Sequence, residues 1–239
     1  TDTVTNPDGS TTTTVTKPDG SSTITTTAPN GASSVATVDK NGSTSVSVKL
    51  PETTITNAQG KTISLPMPAL SVTSNRAAAP VVTMDLPDGA SAKVEIPVTN
   101  ATTGTVAILV RANGTEEIVK TSVAAQNGVV LTVSDGDTIK VVDNSKSFSD
   151  VSSTYWGADA VDFVTSRELF NGTSASTFSP NSAMDRAMIV TVLARFAGVD
   201  TSTGSTWYEA GVQWAKSTGI SDGSDLTGSV TREQLATML

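Results

Sequence analysis

The sequence predicts a multidomain chain, β first and α second: a Thr-rich β-meander, a small β-sandwich-like unit and a C-terminal helical repeat region. Three observations predict it. Turn signals recur every 11 residues through the first fifth of the chain. All ten aromatic residues lie between Phe148 and Trp214, so the first 147 residues contain none. From Phe148 onward the apolar spacing changes from that of strands to that of helices.

Residues 1–66 form the first region. Pro7-Asp8-Gly9, Pro18-Asp19-Gly20, Pro29-Asn30-Gly31 and Asn41-Gly42 place a Gly at 9, 20, 31 and 42. Asp-Gly and Asn-Gly tolerate the positive φ of hairpin turns. Thr, Ser and Val fill the intervals, and β-branched residues favour strands. Each unit reads as one strand plus one turn. Val15 lies six residues after its turn Gly; Ile24, Val35 and Val46 lie four after theirs, and Val48 six. Even offsets predict a single apolar face, with Thr and Ser opposite. So thin a face fits a hydrophilic spacer or a self-associating, adhesive sheet.

Residues 67–80, with Pro66, Pro68 and Pro80 around Ala77-Ala78-Ala79, read as a linker. Residues 81–147 read as a small β domain. Its strands are expected at Val81–Leu86, Ala92–Val98, Thr105–Ala112, Glu117–Ala124, Val129–Val133 and Thr138–Val142. Asp135 and Asp137 flank a turn Gly, but no full set of oxygen ligands stands at loop spacing, so no metal site is assigned.

Composition excludes much chemistry. The chain has 239 residues, no Cys and no His. That removes thiol nucleophiles, Ser-His-Asp triads and zinc sites of the usual kinds. No cofactor is expected. The net charge of −8 opposes phosphate backbones, so nucleic acid is not an expected partner. No apolar run reaches the length of a membrane span. Glycan hydrolysis needs two carboxylates facing one cleft, and no pair is singled out here. The chain opens mid-pattern at Thr1, which reads as a processed or truncated piece.

The last third repeats internally. Trp156, Val161, Phe163, Leu169 and Gly172 match Trp207, Val212, Trp214, Ile220 and Gly223 at a shift of 51. Arg186, Ile189 and Leu193 match Arg232, Leu235 and Leu239 at a shift of 46. The copies span 148–198 and 199–239, each a helix, a Gly-containing loop and a helix. Asp185 and Thr231 are expected N-caps, the latter with Gln234 in a capping box. Arg186 and Arg232 then occupy the first helical position, where a cation opposes the helix dipole. An anion there would combine with free N–H groups and the guanidinium. The alternative is that each Arg pairs with a nearby carboxylate such as Asp185 or Glu233.

Phe148-Ser149-Asp150-Val151, Trp156, Phe178-Ser179-Pro180-Asn181 and Asp185-Arg186-Ala187-Met188 together resemble an S-layer homology (SLH) repeat. Trp207-Tyr208, Gly219-Ile220, Gly223 and Thr231-Arg232-Glu233-Gln234 resemble a second. The resemblance covers about 148–239. It departs from the family pattern in Asp185 for Thr, Met188 for Glu, and a second copy without the F-x-P loop that stops partway through a helix. The family carries three repeats, so the second copy reads as truncated and a third as absent.

The resemblance implies a secreted bacterial cell-surface or S-layer protein, held to the wall by carbohydrate binding. The implied partner is an anionic, often pyruvylated, secondary wall polymer. It nominates Arg186 and Arg232 as ligand contacts, with Trp156, Trp207, Gly172 and Gly223 lining the groove. For both Trp residues, packing in the core is the alternative. No catalytic residue and no membrane insertion are implied.

Overall fold

The computed structural model describes residues 1–239 and divides into two compact units, Thr1–Ser145 and Lys146–Leu239. The chain is mostly β, with more than one sheet and five helices.

The first unit opens with β1 (Asp2–Thr5), β2 (Thr11–Thr16), β3 (Ser22–Thr27), β4 (Ser33–Val38) and β5 (Thr44–Lys49). Each pairs antiparallel with the next. The four connecting turns share one geometry. In the first, Asn6 N–H donates to Ser10 O at 2.8 Å and Gly9 N–H to Asn6 O at 3.0 Å. The four turn glycines hold φ between +82° and +86°, a region costly for residues with a β-carbon. Asp8 and Asp19 brace the first two turns; hydrogen bonds from the hydroxyl and N–H of Ser10 and Ser21 hold their carboxyls below the usual range.

The remaining elements are α1 (Glu52–Ala58), β6 (Ile63–Ser64), β7 (Leu70–Ser71), β8 (Val81–Asp85), β9 (Ser91–Thr99), β10 (Thr105–Val110), β11 (Glu116–Ile118), β12 (Val123–Ala125), β13 (Gly128–Ser134) and β14 (Thr138–Asp143). One nine-stranded sheet runs β1-β2-β3-β4-β5-β8-β14-β10-β11. A second runs β12-β13-β9-β6, with β7 also on β9. Val48, Val82, Val94, Ile96 and Val129 are fully buried in a core drawn from both sheets. At about 1.5–3 kcal/mol per buried aliphatic side chain, this core dominates the unit's stability.

Four features depart from the sequence reading. First, the repeat strands and the later strands share a sheet, because β5 pairs in parallel with β8. Second, residues 67–80 are packed rather than free: Met67, Leu70 and Ala79 are buried, and Lys140 Nζ donates to Arg76 O at 3.1 Å. Third, the expected strand Glu117–Ala124 is two strands in different sheets. Val119 N–H still bonds Ala107 O, and a turn closed by Ser122 N–H on Val119 O carries the chain across. Fourth, α1 falls inside the Thr-rich region. Its Ile55 and Ala58 pack on the core, which overrides the weak helix propensity of Thr.

The apolar face also needs correction. Val35 is 42% exposed and Val15 39% exposed, whereas Ala36, Val46 and Val48 are buried. Paired residues in β1–β5 always have the same parity: Thr12 with Thr26, Thr26 with Ser34, Ser34 with Val48. Even-numbered residues therefore share the inner face. An odd repeat of 11 moves each equivalent position to the opposite face in the next unit. Ile24 and Val46, two units apart, face inward; Val35, one unit from each, faces out.

The second unit holds α2 (Ala158–Ser166), α3 (Arg186–Phe196), α4 (Glu209–Thr218) and α5 (Arg232–Met238). Ile189 and Val190 of α3 pack on Val212 and Ala215 of α4, with Trp214, Ile220 and Leu235 around them. None of the helices is long and apolar enough to cross a membrane.

Candidate functional site

Asp185 caps α3, as its residue type predicts; its Oδ1 accepts from Met188 N–H at 2.8 Å. Arg186 follows at the first helical position. The 222–230 loop wraps this helix end. Arg186 N–H donates to Gly228 O at 3.1 Å, Ala187 N–H to Leu226 O at 3.0 Å, and Val230 N–H to Met184 O at 3.0 Å. The first N–H groups of α3 are therefore occupied. A ligand here would meet the guanidinium, and the free helix N–H groups expected from sequence are not there.

That guanidinium is half-buried against the same loop. Its Nη1 donates to Ser224 O at 3.3 Å, while Nε is buried with no partner. A buried, unsatisfied charged donor is costly, and it marks a place where an acceptor would be stabilising. Asp222 lies in the loop; hydrogen bonds from Ser224 N–H and hydroxyl, with the Arg186 charge, hold its carboxyl below the usual range. The carboxylate that feels the Arg186 charge is therefore Asp222, from the other repeat. Asp185 is used as a cap.

Gly223 sits in this loop at φ +73°, and Lys216 Cε occupies the space its β-carbon would take. The structure brings Arg186 and Gly223 together, one from each repeat. Gly172 is elsewhere in the unit and is closed off. A β-carbon there would lie 2.6 Å from Thr177 O and 2.9 Å from Phe148 Cε1. Phe178 packs on Phe148 at 5.6 Å and on Phe170 at 6.2 Å between ring centroids. Gly172→Ala should therefore lower the stability of this unit by about 2 kcal/mol, from φ +75° and the overlap together. Urea unfolding followed by Trp fluorescence measures this, because all three Trp lie in this unit.

Arg232 is exposed on a seven-residue helix, beside a complete capping box between Thr231 and Gln234. Trp156 is 90% exposed and Trp207 51% exposed, so neither is a core residue. Each packs against its neighbouring Tyr: Trp156 tilted against Tyr155 at 5.6 Å between ring centroids, and Trp207 edge-to-face with Tyr208 at 5.2 Å. Trp214 carries the packing role instead.

Residues 147–187 match the S-layer homology domain family. The chain carries an S-layer homology domain. Such domains bind cell-wall polymers and mark association with the bacterial cell surface. A stretch of 110 residues is 32% identical to an endoglucanase of Bacillus sp. (strain KSM-635), covering 40% of this chain and 11% of that enzyme. The chain spans about a tenth of that relative's length. No solved structure matches.

Within the SLH domain, Asp150 of the F-x-D-V motif accepts from Phe178 N–H at 2.9 Å and Ser179 N–H at 2.7 Å. These bonds hold its carboxyl below the usual range and tie the motif's start to its F-x-P loop. Two arginines escaped the sequence reading. Arg167 is fully buried, its guanidinium 3.7 Å from the centre of the Phe163 ring. It donates to Phe163 O and Ser166 Oγ, both at 3.1 Å. Arg195 Nη1 reaches Leu169 O at 3.0 Å, bridging α3 to the end of α2. The only signal for either is its place beside an apolar helical stripe, where a cation must find partners.

Proposed function

We propose that this chain is a non-catalytic extracellular anchor that holds to the wall through an anionic, pyruvylated secondary polymer. The observation that supports it best is Arg186: a half-buried guanidinium with an unsatisfied Nε, in the repeat that matches the SLH family. A carboxylate on a sugar ketal would reach the accessible end of this guanidinium and bind it through charge-assisted hydrogen bonds. Residues 199–239 are read as a second repeat. Gly223 lines the Arg186 site, and exposed Trp156 and Trp207 offer flat faces for sugar rings. Arg232, exposed at the start of α5, is the second repeat's counterpart of Arg186, while Gly172, closed off by Phe148, supplies backbone shape within the first repeat and not a groove surface. The first unit serves as stalk or interaction region.

Co-sedimentation with purified cell wall, with and without its secondary polymer, tests this. The chain should pellet only with the polymer present, and Arg186→Ala should reduce the bound fraction about tenfold. Unchanged retention of that variant would remove Arg186 from the site.

A second reading is a structural or adhesive role in which residues 1–66 self-associate. It is favoured by strands β1–β4, which carry no charge except Asp2, and by exposed Val4, Val15 and Val35. Sedimentation equilibrium on residues 1–145 and on the full chain checks it: association shared by both supports this reading, and a monomer throughout counts against it.

A further inference from the structure

Lys216, in the last turn of α4, was not among the residues that the sequence motifs nominate. Its side chain lies across Gly223: Cε fills the space of the missing β-carbon, and Nζ is 3.0 Å from that point. Arg186 Nη1 contacts the next residue, through Ser224 O. The two cations therefore meet one loop at adjacent positions. Only a residue without a side chain at 223 allows Lys216 to lie there.

The charge balance of this loop gives the contact its meaning. Asp222 and Asp225 both lie in it, and the whole chain carries −8. Arg186 alone leaves the loop with a surplus of negative charge, which would repel an anion. Lys216 offsets that surplus. The first repeat has no such device: the position 51 residues earlier is Thr165, which is buried and donates to Val161 O at 2.8 Å. Gly172, the counterpart of Gly223, is covered by Phe148 instead of a cation.

We propose that Lys216 is a second anion contact at the Arg186 site and determines which of the two repeats can take a carboxylate-bearing glycan. It rests on the anchoring reading above. Lys216 is exposed and close to its helix end, so replacing it leaves packing alone. An ammonium here works as a point charge on a flexible stem, suited to a ligand carboxylate displaced from the fixed fork of Arg186.

The test uses the full chain and two probes: purified wall carrying its polymer, and a hexosamine glycoside bearing a pyruvate ketal. Binding is measured by calorimetry and co-sedimentation at several salt concentrations. Lys216→Ala and Lys216→Gln should each weaken binding about tenfold and flatten its salt dependence. Lys216→Arg should restore most of both. If Arg186→Ala abolishes binding while Lys216→Ala leaves affinity and salt slope unchanged, the Lys216 assignment is overturned and the anchoring reading stands. If the wild-type chain binds but neither variant changes binding, both cations are removed from the site and this inference falls; if the wild-type chain binds neither probe, the anchoring reading falls and this inference with it.

Discussion

Arg167→Ala is expected to destabilise the SLH-containing unit by about 3 kcal/mol. The guanidinium is fully buried, stacked 3.7 Å from the Phe163 ring centre and bonded to Phe163 O and Ser166 Oγ. Truncation removes all of these, opens a cavity and takes the compensating charge from Asp162, the carboxylate that acts on Arg167. Burial also has a cost while the group is charged. Desolvation pushes the Arg167 guanidinium down to about 10, against the smaller opposing pull of Asp162. Because the folded value lies below the free one, the unfolded chain holds more protons between the two. The desolvation penalty is thus fully present at neutral pH and is relieved as pH rises through about 10. Arg167→Met, which keeps the bulk and discards the charge, should therefore cost clearly less than Arg167→Ala. Urea unfolding by Trp fluorescence decides it. Equal losses in both variants would mean that charge, and not volume, dominates the site; no loss in either would refute the role given to Arg167.

Gly211→Val should cost a comparable ~3 kcal/mol, by a different route. Gly211 is buried in α4, where the backbone of α3 passes close by. A β-carbon at 211 would lie 2.8 Å from Thr191 Cα and 3.2 Å from Thr191 N. Those are backbone atoms and cannot swing aside, so the two helices must separate. Separation loosens Ile189 and Val190 from Val212 and Ala215. Gly211→Ala meets the same overlap but gains about 1 kcal/mol of helix propensity, so a net loss of about 1 kcal/mol is expected. The order wild type, Ala, Val in urea midpoint is the result to look for. An Ala variant more stable than wild type would show that α3 and α4 are not held at this distance.

The sequence made the outline of the molecule readable where local chemistry decides it. Hairpin turns at Gly9, Gly20, Gly31 and Gly42 follow from residues that tolerate positive φ, and the N-caps at Asp185 and Thr231 from side chains that can accept a backbone N–H. Long-range pairing was less legible. Nothing local says that β5 will lie parallel to β8, or that 119–122 will carry the chain between sheets. The face of Val35 was misjudged because parity across a turn depends on pairing register, which the strand alone does not contain. At the site, the motifs pointed to Arg186 and Gly223 separately. Their meeting, and the presence of Asp222 and Lys216 beside them, depends on the 222–230 loop folding back over α3. The same loop consumes the helix N–H groups that spacing alone leaves free.

The odd length of the repeat has a consequence for how such a chain changes over generations. A position copied from one unit to the next changes sides, so no residue in the pattern keeps one environment. Selection cannot make one copy greasier for the core without making its neighbour greasier in water. Threonine, with a methyl and a hydroxyl on one β-carbon, is acceptable in both settings. On this view the monotony of TTTTVT and STITTT is a compromise forced by counting. Units gained or lost in pairs preserve which side each residue faces, while a single unit inverts it for every copy beyond.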